Sequence, residues 1–219
     1  MKKQALLLLL FSASYLLNTL QLQGQEVAIL KYQGGGDWYA NPTAVPNLIQ
    51  FCNANIGTRI NEKPVTIEAS DKDILNYPMV FMTGHGNVFF SDMDIQNLRL
   101  YLLSGGFLHI SDNYGLDKYI RRELKKLFPK ASLQEIPTNH PIYQQPYAFK
   151  NGLPKIHEHD LKPAQGFGLF VEGRMLVFYD YETDLSDGWE DASVHGNSNS
   201  TRQKALQMGS NIIAFVFSH

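Results

Sequence analysis

The chain carries a single cysteine, Cys52, in 219 residues. That excludes an intrachain disulfide and any metal site built from several thiolates. Charge is sparse as well: 18% of residues are charged, with 19 basic against 21 acidic side chains and a net charge of -2. No block of Lys or Arg is present, so the concentrated positive field that a nucleic-acid partner rewards is missing. The dinucleotide-binding glycine fingerprint, the phosphate-loop lysine and the helical HExxH pair are absent too. The apolar run from Ala5 to Leu17 is shorter than the roughly 20 residues needed to span hydrocarbon. Lys2-Lys3 precede it and polar residues follow, so it reads as a secretory signal peptide over residues 1–24, with one domain over 25–219. The protein is then exported, periplasmic or secreted, and meets the membrane only through that signal. An uncleaved anchor is the competing reading.

What is abundant is core-forming material: 44% hydrophobic and 12% aromatic residues, the opposite of a disordered composition. Short apolar runs at Val27–Tyr32, Val65–Glu68, Met79–Thr83 and Phe107–Ile110 read as strands. Between them, Val45, Leu48, Ile49, Cys52 and Ile56 recur at helical spacing after Asn41-Pro42, which reads as the helix start. Ser91 with Asp94 resembles a capping box for a second helix. A third helix places Leu116, Ile120, Leu124 and Leu127 on one face, with Lys118, Arg121, Arg122, Lys125 and Lys126 on a solvated one. Phe167–Val171 and Met175–Tyr181 form a hairpin across Glu172-Gly173, and Thr201–Phe217 closes the chain as a helix. This β-α-β-α order predicts an α/β domain, a doubly wound and mostly parallel sheet with helices on both faces.

Ligands of such sheets bind beyond the carboxyl ends of the strands. The segments there contain Gly34 to Trp38, Gly84-His85-Gly86-Asn87 and Ser111-Asp112-Asn113-Tyr114, with Asp180, Glu182 and Asp184 after the last strand. Gly35, Gly36, Gly84 and Gly86 would let backbone amides approach a ligand, with the helix dipole behind Pro42 adding to them. Asp37, Trp38 and Asn113 would supply further contacts, and Trp189 a wall for a sugar. Against this, glycines also make ordinary turns, and one Trp anchors many loops. His157-Glu158-His159-Asp160 is the most ligand-like run: imidazoles at i and i+2 of an extended segment face the same way and would chelate a divalent metal, with His85 or His140 as third ligand. Equally, dense His and acidic loops often only bond to one another. His109, inside an apolar strand, reads as a satisfied core histidine, and Cys52, on an apolar stripe, as a packed thiol.

KYQGGGDWYANPTAVPNLIQFCN, FMTGHGNVFFS, GGFLHISDNYGLDKYIRRELKKLFP, HPIY, NGLPKIHEHD and GWED together resemble the bacterial domain-of-unknown-function family 4159, over nearly the whole mature chain. The family is similar in fold to the class I glutamine amidotransferases and their trehalose-utilisation-type branch. The resemblance therefore implies a flavodoxin-like, glutamine amidotransferase-like three-layer sandwich. Those enzymes carry a Cys nucleophile at the turn after the fourth strand, where this chain has Ser111-Asp112-Asn113. Thioester hydrolysis of glutamine is not expected, although Gly84-His85-Gly86 resembles the turn supplying oxyanion-hole amides. Two functions stay open. One is a binding domain for a small polar molecule or a protein partner. The other is a hydrolase or carbohydrate-active enzyme using His85, Ser111, Asp112, His157 and His159, with or without a metal.

Overall fold

The computed structural model describes residues 26–218; the signal peptide read from residues 1–24 lies outside them. Strands β1 (Val27–Lys31), β2 (Val65–Glu68), β3 (Met79–Gly84), β4 (Phe107–Asp112), β5 (Leu133–Glu135), β6 (Gln165–Val171) and β7 (Arg174–Tyr181) form one sheet in the order β2-β1-β3-β4-β7-β6-β5. β2, β1, β3, β4 and β7 run parallel, and β6 and β5 complete the edge in antiparallel pairing. The structure is thus the mixed α/β fold, with a mostly parallel sheet, that the chain pattern predicts.

Helices α1 (Ala44–Asn55), α2 (Asp92–Leu103), α3 (Asp117–Leu127), α4 (Ala192–His195) and α5 (Asn199–Ser218) flank it. Side chains alternate across a strand, so β3 sends Val80 and Met82 to one core and Met79 and Phe81 to the other. The first core is closed by Leu98 and Leu102 of α2 and by Ile120 and Leu124 of α3. Leu48 and Cys52 of α1 close the second, with Met208 and Ile212 of α5. Burial on both faces is why these strands read as unbroken apolar runs. Cys52 is buried beside Ser210, and burial pushes its thiol up to about 11, so it is a packing group. No helix among the described residues is long and apolar enough to cross a membrane.

The capping box of α2 is present in both directions between Ser91 and Asp94. Glu172 (φ 50°) and Gly173 (φ 81°) are both left-handed, the two-residue turn that suits the β6–β7 hairpin. The start of α1 differs from the Asn41-Pro42 expectation. Asn41 sits at φ 58°, the helix begins at Ala44, and its first amides are capped from far along the chain. Glu190 Oε1 accepts from the Thr43 and Ala44 N–H groups at 2.9 and 3.0 Å. This helix terminus is therefore already occupied by the chain's own carboxylate. The basic face of α3 is also used internally: Arg122 and Lys126 pair with buried Glu123, and Arg121 pairs with Asp117.

Candidate functional site at the carboxyl edge of the sheet

The chain reverses direction across the sheet between β1 and β3, and the loops after β1, β3, β4 and β7 lie at that edge. The first two interlock. Gly36 N–H donates to the Asn87 carbonyl at 2.9 Å, and His85 Nδ1 lies 3.0 Å from Asp37 Oδ2. A Cβ at Gly36 would stand 2.7 Å from both the Asn87 and His85 carbonyl oxygens, so this glycine is required by loop packing. Gly84 is likewise crowded, by the Tyr32 hydroxyl and the Asp37 backbone. Gly35 and Gly86 instead face open space, and Trp38 packs partly buried against the core.

The turn after β4 is closed. Ser111 is fully buried, donating to Asp180 Oδ1 at 3.0 Å while accepting from the Ser186 N–H. His109 Nε2 lies 2.7 Å from the other oxygen of Asp180. The carboxylate stands between hydroxyl and imidazole, so the imidazole has no path to the Ser111 proton. That corrects the nucleophile expectation for Ser111. Asn113 is buried with its Oδ1 accepting from Ser186.

Asp112 accepts from the Leu116 N–H and from the Tyr179 hydroxyl, both at 3.1 Å. Burial pushes its carboxyl up from 3.8 to about 7. A raised folded-state pKa means that this group's own contribution to stability is fully present below pH 4 and is lost as pH rises toward 7, by ~1.4 kcal/mol per pH unit. Asp112→Asn removes this slope. Urea melts between pH 5 and pH 8 should therefore show the wild-type midpoint falling relative to the variant; parallel profiles would contradict the assignment.

The open chemistry gathers after β7. Ile156 and His157 N–H groups donate to the Thr183 carbonyl at 3.0 and 3.3 Å, which lays the 154–160 segment along the start of the 182–197 loop. His157 Nδ1 is then 3.0 Å from Asp187 Oδ2 and 3.4 Å from Asp184 Oδ2. His195 Nδ1 stands 3.7 Å from the same Asp187 oxygen. His159 Nε2 bonds Asp184 Oδ2, and its ring stacks on Tyr114 with centroids 4.5 Å apart. Asp184 is 2% exposed, and its Oδ1 has no hydrogen-bond partner among the described residues. Burial raises its pKa, aided by the charge of Asp187 and opposed by His159. His157, Asp187 and His195 offer ligand atoms within 4.8 Å of one another, the geometry of a candidate metal site.

A family model described as a domain of unknown function, DUF4159, matches residues 26–217. The chain belongs to the DUF4159 family. No curated protein matches it at a significant level.

Within this DUF4159 chain, His157 and His159 both contact Asp184, but the candidate metal group contains His157 without His159, and neither expected third ligand joins it. His85 pairs with Asp37, and His140 packs on Phe215 of α5. The group completed instead is His195 with Asp187, which sequence reasoning missed. His195 sits on the short helix α4, with no motif spacing to His157, and only the fold of the 185–195 loop unites them. Asp112 bonds Tyr179 and Leu116 rather than an imidazole. Trp189 is no sugar wall: it is fully buried, its indole N–H donating to the Ala205 carbonyl at 2.8 Å.

Proposed function

We propose that this protein is an exported, non-thiol binding domain that holds a small polar ligand at the side-chain cluster between residues 157–159 and 184–195. The observation that carries the reading is the group of His157, Asp187 and His195 beside His159 and Asp184, in which a buried Asp184 oxygen has no hydrogen-bond partner among the described residues. Buried polar groups are almost always paired, so an unsatisfied carboxylate beside imidazoles favours an exogenous ligand. Sheet order and two-sided helix packing support a flavodoxin-like, glutamine amidotransferase-like framework. The basic and apolar leader in the sequence supports export. On that framework the thiol of the enzymes is replaced by a buried Ser111, and the polar chemistry lies one strand further on. The alternative, a hydrolase built on Asp112 with His85, His157 and His159, draws less support, because Asp112 and His85 are each tied to other partners.

Thermal shifts of the purified protein with glucose, glucosamine, glutamine and divalent cations test this. A ligand at a hundred times its Kd stabilises by about 2.7 kcal/mol, or roughly 5–10 °C for a domain of this size. At least one probe should raise Tm in the wild type and not in Asp184→Asn, with no ammonia released from glutamine. Silence from every probe, or glutamine hydrolysis, would contradict it.

A further inference from the structure

We propose that the ligand of this cluster includes a borderline divalent cation of the Zn²⁺ class, held by His157 Nδ1, Asp187 Oδ2 and His195 Nδ1. The inference rests on the cluster being the ligand site and names what binds there. Ligand atoms around a tetrahedral ion with bonds near 2.1 Å stand ~3.4 Å apart. The Asp187 oxygen lies 3.0 Å from one imidazole nitrogen and 3.7 Å from the other, bracketing that separation. The donor set is two imidazoles and a carboxylate, which suits zinc and its neighbours and not the hard, all-oxygen preference of calcium or magnesium.

The surrounding contacts orient these donors. His157 Nε2 faces Asn197 Oδ1 at 3.1 Å, and Asn197 Nδ2 points to the Asp187 carbonyl at 3.4 Å, which fixes the amide with its oxygen toward the ring. With Nε2 turned to Asn197, Nδ1 is the ring nitrogen of His157 aimed into the cluster and the one a cation would take. Asp187 is oriented in the same way: Asn41 Nδ2 donates to its Oδ1 at 2.6 Å and leaves Oδ2 for the histidines.

Asp184 is the independent observation. Its Oδ2 lies 3.4 Å from His157 Nδ1, while its buried Oδ1 accepts from no group among the described residues. It lies beside the three donors as a carboxylate that could accept from a water on the ion. Three protein donors with a fourth position left for an exchangeable group is the arrangement of a working rather than a purely structural zinc site.

The test is Zn²⁺ titration of the full chain, stripped of metal with chelator, by calorimetry and by competition with a chromogenic chelator. One ion should bind per chain. His195→Ala, on the exposed short helix, and His157→Ala should each lose most of the affinity. Asn197→Ala, which touches no ion, should lose about 10–100-fold, and His85→Ala should bind as the wild type does. Absent binding, or binding unchanged in both His195→Ala and His157→Ala, overturns the metal assignment. If an organic probe still shifts Tm through Asp184 in that case, the ligand-site reading survives its loss. If no probe of either kind binds, both fall.

Discussion

Trp189→Ala is expected to destabilise the protein by about 3–5 kcal/mol, the range for truncating a large buried aromatic. The indole is fully buried against Phe81 and His109, with ring centroids 5.6 and 5.7 Å away. Gly209 of α5 is small because the indole and Leu48 occupy the space that a Cβ would enter. Truncation leaves a cavity between the sheet, α1 and α5, and strips the Ala205 carbonyl of its indole donor. For a domain near 200 residues the loss corresponds to a drop in Tm of roughly 10 °C or more. Trp189→Phe, which keeps most of the volume, should cost clearly less. A Trp189→Ala protein with a wild-type urea midpoint would show that the residue is not part of the core.

Asp180→Ala should cost a similar amount, about 3–5 kcal/mol, by breaking a buried charge-assisted network. Asp180, His109 and Ser111 are each fully buried, and the carboxylate is the common partner of the other two. Burial pushes the Asp180 pKa up, and its bonds from His109 and Ser111 oppose that. Removing the carboxylate leaves an imidazole nitrogen and a hydroxyl without their acceptor, in a place water does not reach. Ser111→Ala should be milder, since Asp180 keeps His109. An Asp180→Ala variant as stable as wild type, by chemical denaturation, would contradict a structural role for this network.

The central strands β3 and β4 were legible because they are buried on both faces and therefore read as apolar runs bounded by turn residues; the edge strand β5, largely exposed, carries no such signal. The β6–β7 hairpin was legible from two apolar runs, Phe167–Val171 and Met175–Tyr181, on either side of the two-residue turn Glu172-Gly173, in which Gly173 takes left-handed backbone readily. What escaped notice depends on contacts between distant parts of the chain. Asn41-Pro42 carries a local helix-start signal, but Glu190 supplies the cap and Asn41 turns its amide to Ser186 and Asp187 instead. Trp189 in a polar loop looks exposed until the following residues fold it under α5. At the site, His157 and His159 announced themselves by proximity in sequence. His195, Asp187 and Asn197 did not, because a long loop carries them there and no periodicity ties them to the histidines.

The central claim is that the working chemistry sits between the 157–159 and 184–195 segments rather than at the turn after β4. Side-chain NMR of protein labelled with nitrogen-15 histidine reads this directly, as one equivalent of Zn²⁺ is added to the metal-free chain. The ring nitrogens of His157 and His195 should shift together and saturate at one ion per chain, while those of His85 and His109 stay in place. Movement of His85 with His157 and His195 unchanged, or no movement in any histidine, would contradict the claim.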